Sequence, residues 1–111
     1  MINVKSAEGV PYDAPGHYGC FGLMKFTKEH TKRTIINYSY FHPNGGIEMS
    51  AAAPVERVYC VIKGSITAKG KNGGVHIVNA GDMIYIAPGE EREVTVNDGN
   101  PAEILVVVTE V

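Results

Sequence analysis

The sequence predicts an all-β fold in a single domain, and three observations predict it. Short apolar runs such as ERVYCVIK and DMIYI are separated by glycine-bearing turns along most of the chain. No stretch carries the i, i+3, i+4, i+7 spacing of an amphipathic helix. The chain has 111 residues with 44% hydrophobic content, enough to bury one core but not two, so one domain over residues 1–111 is expected.

In chain order, residues 1–19 form an N-terminal strand and an irregular arm, because prolines and glycines interrupt the pattern from Glu8 to Gly19. Such an arm is placed to cover a barrel mouth. Strands are predicted over Gly19 to Lys28, Arg33 to Phe41, Ile47 to Ala51, Arg57 to Lys63, Ser65 to Lys69, Val75 to Val78, Met83 to Ile86, Glu93 to Asn97 and Glu103 to Thr109. The cuts have turn chemistry behind them. Lys63-Gly64-Ser65 and Asn72-Gly73-Gly74 permit positive φ in tight hairpins, and Ala80-Gly81-Asp82 and Asp98-Gly99-Asn100-Pro101 each end a strand.

Alternation assigns faces. Arg57, Tyr59, Val61 and Lys63 share one face and Val58, Cys60 and Ile62 the other. Met83 and Tyr85 share a face, as do Arg92, Val94 and Val96. Because Val58 to Ile62 is apolar on both sides, this strand lies between two packed sheets or under a second subunit. A jelly roll satisfies that requirement.

Composition excludes some functions. The net charge is -2 and the longest basic cluster is Lys32-Arg33, so there is no basic face for nucleic acid. MINVKSAEGV lacks the apolar core of a signal peptide, and no run reaches the roughly 18 apolar residues of a membrane helix, so a cytoplasmic location without membrane partners is expected. Cys20 and Cys60, isolated in strand-like surroundings, are expected as free thiols.

Two blocks carry a family resemblance. GGIEMSAAAPVERVYCVIKG, from Gly45 to Gly64, resembles the first cupin motif, G-x5-H-x-H-x3-E-x6-G, and GDMIYIAPGEER, from Gly81, resembles the second, G-x5-P-x-G-x2-H-x3-N. The frame places Ala51 and Ala53 at the two histidines, Arg57 at the glutamate, Arg92 at the last histidine, Ala87 at the proline and Val96 at the asparagine. The resemblance therefore implies a small single-domain cupin, a double-stranded β-helix or jelly-roll barrel of RmlC-like type, without the usual metal ligands. It also implies a homodimer, since cupins commonly pair through their sheets.

The chemistry of these positions points away from a metal. Alanine offers no donor, and arginine stays protonated and repels a cation. Shifting the frame by one residue brings in Glu56 alone as a carboxylate. His17, His30, His42 and His76 are scattered, with no i, i+2 pair to chelate from a strand. All four read first as surface or loop residues; His42, at a strand end before Pro43 and Asn44, is the one that could reach the pocket, and His17 is in an arm that could fold over the mouth. Glu48 has the parity that points away from the pocket.

Arg57 and Arg92, with Tyr59, Tyr85, Met83, Ala51, Ala53 and His42, form the candidate ligand-binding set. Two guanidinium groups over an apolar and aromatic floor fit a carboxylate, sulfate or phosphate. Salt bridges from Arg57 to Glu56, and from Arg92 to Glu90, Glu91 or Glu93, are the competing arrangement. The expected function is therefore binding of a small anionic or aromatic molecule, with no cofactor. Two alternatives stay open. One is a metal-dependent oxygenase, isomerase or decarboxylase recruiting a divalent metal through His42, Glu48, Glu56 or Tyr59. The other is a structural barrel filled by side chains. Tyr38 and Tyr40, which share a face, are expected as core or interface aromatics; a tyrosine paired with His42 as acid and base keeps metal-free catalysis open.

Overall fold

The computed structural model describes residues 1–51 and 54–111. Among them are nine strands and no helix: β1 (Val10–Tyr12), β2 (His17–Phe26), β3 (Thr34–Ser50), β4 (Val55–Lys63), β5 (Ser65–Gly70), β6 (Val75–Asn79), β7 (Met83–Ile86), β8 (Arg92–Val96) and β9 (Ala102–Glu110). All pairings are antiparallel. The strand order is β6-β5-β8-β3-β9-β4-β7, with β2 also on β3 and β1 on β2.

β3 organises the barrel. Its first half, Thr34 to Phe41, pairs with β9 on one side and β2 on the other, while Gly46, Ile47 and Ser50 pair with β8. One strand thus serves both leaves of the jelly roll. Two separate strands were expected here, broken at Pro43-Asn44-Gly45-Gly46. The chain instead runs through the glycines, because Gly46 is pressed between two neighbouring strands and a Cβ there would strike the Val94 carbonyl and the Tyr18 ring. Absence of a side chain, which reads as a turn signal in sequence, here permits close backbone approach.

The two leaves close over one core built of Phe41, Ile47, Tyr59, Val61, Ile66, Val94 and Ile104, all at or below 3% exposure. Burying each large side chain of this kind stabilises the fold by about 1.5–3 kcal/mol. β6 and β7 end the strand path without pairing to each other, leaving a seam in a nearly closed barrel. The N-terminal arm is more regular than expected: β1 lies within it, and β2 starts at His17 rather than Gly19.

Register decides which side chains share the interior. Directly opposed residues of an antiparallel pair lie on the same face. Arg57 faces Val108 and Ile86, and Tyr59 faces Val106 and Ile84. On the other leaf, Ile47, Val94, Ala68 and His76 form one cross-strand row, and His17 joins it opposite Ile47.

Candidate functional site: a cationic barrel interior

Arg92 opens β8 and points inward by the same alternation that buries Val94. Its side chain is 5% exposed, an unusual place for a full charge. Its Nε and Nη2 donate to the Tyr59 hydroxyl oxygen at 3.0 and 2.7 Å, and Nη1 donates to the Ser50 carbonyl and hydroxyl oxygens at 2.8 and 2.9 Å. Every partner is neutral. The hydrogen bonds are satisfied while the charge is not compensated.

Arg57 projects from β4 into the same interior. Burial is the first cause that lowers its pKa, and the charge of Arg92 adds to that. Among the described residues neither arginine is ion-paired. Three of the four carboxylates predicted as competitors are engaged elsewhere. Glu56 accepts from the Tyr85 hydroxyl at 2.7 Å, Glu91 pairs with Lys71 at 3.0 Å, and Glu90 accepts from the Ala87 N–H at 3.1 Å. Two cations and a phenol, with no carboxylate paired to either cation among the described residues, favour an anion.

The wall opposite these arginines comes from β1, β2 and β3. Tyr12 lies over Gly22, where any Cβ would collide with its ring. Burial raises the Tyr12 phenol above its ordinary value, and the adjacent Ser39 hydroxyl partly offsets this. Burial likewise pushes the Cys20 thiol up to about 11. His17 stacks on Phe41 with ring centroids 6.2 Å apart, and its Nδ1 lies 3.0 Å from the Pro15 carbonyl oxygen. Burial, together with Arg92 and Arg57, lowers its pKa. Asn37, inward-facing by alternation with Ser39, has a buried Oδ1 without a partner among the described residues.

Two cavities open near the interior, and Arg92 borders the larger. A cleft of about 380 Å³ opens along the seam and is bordered by the inward-facing Ala68, Ile84, Ile86 and Arg92, with Lys71 and Glu91 at its rim. A smaller cavity of about 120 Å³ is lined by Tyr12, Asp13, His17 and Cys20.

Several sequence-predicted positions fall elsewhere. Met83 and Tyr85, expected in the pocket, lie on the outer face at 71% and 55% exposure. They oppose Cys60 and Val58, the residues of β4 that alternate away from Tyr59, so Ile84 and Ile86 take the interior. Tyr85 still borders the seam cleft. His42 is exposed and packs edge-on against Tyr40, 5.2 Å between centroids, on the outside of β3. Ala51 is exposed at the end of β3, and Ala53 lies outside the described residues. Glu48 is exposed, its backbone N–H donating to the Gly16 carbonyl. Tyr38 donates to Glu103. His42, Glu48 and Glu56 therefore do not converge with Tyr59, and the described residues contain no cluster of three or more His, Cys, Asp or Glu side chains fit to hold a metal. Sequence reasoning left Tyr12, Ser39 and Cys20 out of the site and gave His17 only a place over the mouth. The parity of Ser39 with Phe41 was the available signal.

Barrel, motif frame and arginine-bearing ligand positions together define a jelly-roll protein with arginines where the frame expects metal ligands. The cupin domain family model matches residues 37–108. The chain belongs to the cupin family and is a small member lacking the usual metal-binding histidines and glutamate. Its fold is similar to that of a predicted oxalate decarboxylase from Thermotoga maritima (TM-score 0.85, 20% identity, covering 99% of this chain and 100% of that one). It is also similar to the polyketide cyclase RemF from Streptomyces resistomycificus (0.82, 20%, 100% and 85%). A third similar structure is an RmlC-like cupin from Shewanella frigidimarina (0.77, 14%, 96% and 88%). No curated protein sequence matches the chain. The metal that the family frame implies does not fit these residues: the donor set at the ligand positions contributes two guanidinium groups, which only donate hydrogen bonds and repel cations.

Proposed function

We propose that this cupin binds a small anionic molecule inside its barrel, gripped by Arg57 and Arg92. The observation that carries the proposal is Arg92 at 5% exposure, close to Arg57, with no carboxylate partner for either among the described residues. Two uncompensated cations in a low-dielectric interior repel each other, and a bound carboxylate, sulfate or phosphate relieves that repulsion through charge-assisted, bidentate bonds. Ile84, Ile86 and Ala68 offer the ligand's apolar part a floor in the seam cleft.

The test is a thermal-shift and calorimetric screen with sulfate, phosphate, acetate and benzoate on wild type and Arg57→Ala. A ligand present at one hundred times its Kd stabilises by about 2.7 kcal/mol. Competitive stabilisation by these anions, lost in Arg57→Ala, supports the proposal; no response from wild type to any of them refutes it. Near one equivalent of tightly bound iron, manganese, nickel or zinc per chain, found by elemental analysis, would favour the metal-enzyme alternative.

A second copy of this chain is the proposed partner, in a cytoplasmic homodimer. In support, Ile62, Met83 and Tyr85 expose a continuous apolar strip on the outer face of β4 and β7, and the described residues hold two free cysteines, as a reducing compartment favours. Light scattering at micromolar concentration measures the mass directly, and a monomer there rules the pairing out.

A further inference from the structure

One ammonium clasps the N-terminal arm to the barrel. Residues 5–8 fold into a turn in which the Glu8 N–H donates to the Lys5 carbonyl at 3.0 Å and the Lys5 N–H donates to the Glu8 carboxylate at 3.1 Å. From β2, Lys25 Nζ donates to three carbonyls of that turn: Lys5 at 3.3 Å, Ser6 at 2.7 Å, and Glu8. Those contacts occupy every N–H that an ammonium has. The acceptors lie 17 to 20 residues before Lys25, so the clasp closes a long loop with a single side chain.

Beyond the turn the attachment is slight. β1 has three residues, pairs with β2 alone among the described strands, and carries at its centre Pro11, which has no N–H to give the ladder. Val10 is exposed, and the half-buried Tyr12 lays its ring on Gly22. With Asp13 and Ala14, Tyr12 forms one side of the small cavity whose other lining is His17, Cys20 and Gly22 of β2. Past this point the chain is anchored again. The His17 N–H donates to the Ala14 carbonyl at 3.2 Å and the Glu48 N–H to the Gly16 carbonyl at 2.8 Å.

We propose that residues 5–13 are a latch over this cavity, held shut by Lys25 and opening as a unit to uncover the Cys20 thiol. A short edge strand and one ring laid on a glycine hold little by themselves, and such terminal segments open locally while the core stays folded. The corner from Ala14 to Gly16 is the hinge: its hydrogen bonds lie on the barrel side of the moving segment, and Gly16, at a φ of 71°, turns the chain there. Opening lifts Tyr12 off Gly22 and takes away one side of the cavity, which leaves Cys20 facing solvent. The charge on Lys25 thereby governs how often the thiol is reached. Without the ammonium the three carbonyls turn to water, and only β1 and the Tyr12 ring keep the latch in place.

The full chain is treated with iodoacetamide under native conditions, Cys20 alkylation is followed by peptide mass spectrometry, and amide exchange of β8 reports the barrel in the same samples. Lys25→Met is expected to raise the Cys20 rate about tenfold or more, as loss of charge-assisted hydrogen bonds implies, with β8 exchange unchanged. Lys28→Met breaks an exposed pair with Glu110 instead and is expected to leave the Cys20 rate at the wild-type value. An unchanged Cys20 rate in Lys25→Met overturns the latch. A rise accompanied by an equal rise in β8 exchange overturns it too, since the whole barrel would then be loosening. Equal acceleration in Lys28→Met overturns the role of Lys25. Should Lys25→Met not fold, wild type in sub-denaturing urea decides: Cys20 labelling that accelerates ahead of β8 exchange upholds the latch, and the two accelerating together overturns it.

Discussion

Arg92 and Tyr59 meet through a fork: the guanidinium Nε and Nη2 both donate to one phenol oxygen, at 3.0 and 2.7 Å, in a part of the barrel where Tyr59 is 1% exposed. The pair substitutes a neutral acceptor for the carboxylate that a buried arginine usually meets. Its consequences can be measured by separating the hydrogen bonds from the charge.

Tyr59→Phe removes the shared acceptor and leaves two guanidinium N–H groups without partners in a dry site. Stability is expected to fall by about 1–3 kcal/mol, read as a lower urea midpoint with an unchanged m-value. A loss below a few tenths would mean that water replaces the phenol.

Arg92→Met removes the uncompensated cation together with its donors and keeps most of the volume. Replacing buried charge with apolar bulk is often neutral or stabilising by about 1–4 kcal/mol, so the ligand-free variant should melt no lower than wild type. The same variant should lose its stabilisation by sulfate. A large drop in the ligand-free melting temperature would show instead that the Ser50 and Tyr59 bonds outweigh the charge.

His17 supplies a pH dependence. Its pKa is lowered in the fold from an ordinary 6.5, so below that pH the unfolded chain binds more protons than the native one. Stability therefore rises with pH up to about 6.5, where this contribution is complete, and is lost as pH falls through the depressed native value. Tyr12, Asp13, Cys20, Arg57 and Arg92 are the titratable groups around it. Urea midpoints at pH 5 and pH 7 should differ more for wild type than for His17→Gln. Equal differences would place the pH dependence elsewhere.

Cys20 should be a slow thiol. With its pKa pushed by burial from 9.0 to about 11, its thiolate fraction at pH 8 is about 100-fold below that of an unperturbed cysteine. Iodoacetamide labelling followed by peptide mass spectrometry should show Cys20 modified about 100-fold more slowly than a model thiol. Labelling at the model rate would show that the arm opens readily.

Much of the site was legible because alternation is local. Once Tyr59 and Val61 are assigned to the core, Arg57 must share their face, and Val94 brings Arg92 inward in the same way. Met83 and Tyr85 failed that logic. Alternation groups them but does not say which group faces in; pairing with Val58 and Cys60 decides it. Pro43 to Gly46 read as a break for a related reason, since a glycine that frees a turn and a glycine that admits a neighbouring strand are the same residue in sequence.

By itself the sequence determined the all-β class, the positions of most strands, the cupin frame and the loss of metal donors at Ala51, Ala53, Arg57 and Arg92, because each depends on residue type and short spacing. The tertiary structure alone decided that His17, Cys20 and Ser39 turn toward the barrel interior, that Arg92 is held by Tyr59 and Ser50, and that Glu56, Glu90 and Glu91 are engaged elsewhere. Those are consequences of register and closure between strands far apart in the chain, where a one-residue slip exchanges the faces of a whole strand. No local pattern carries that information.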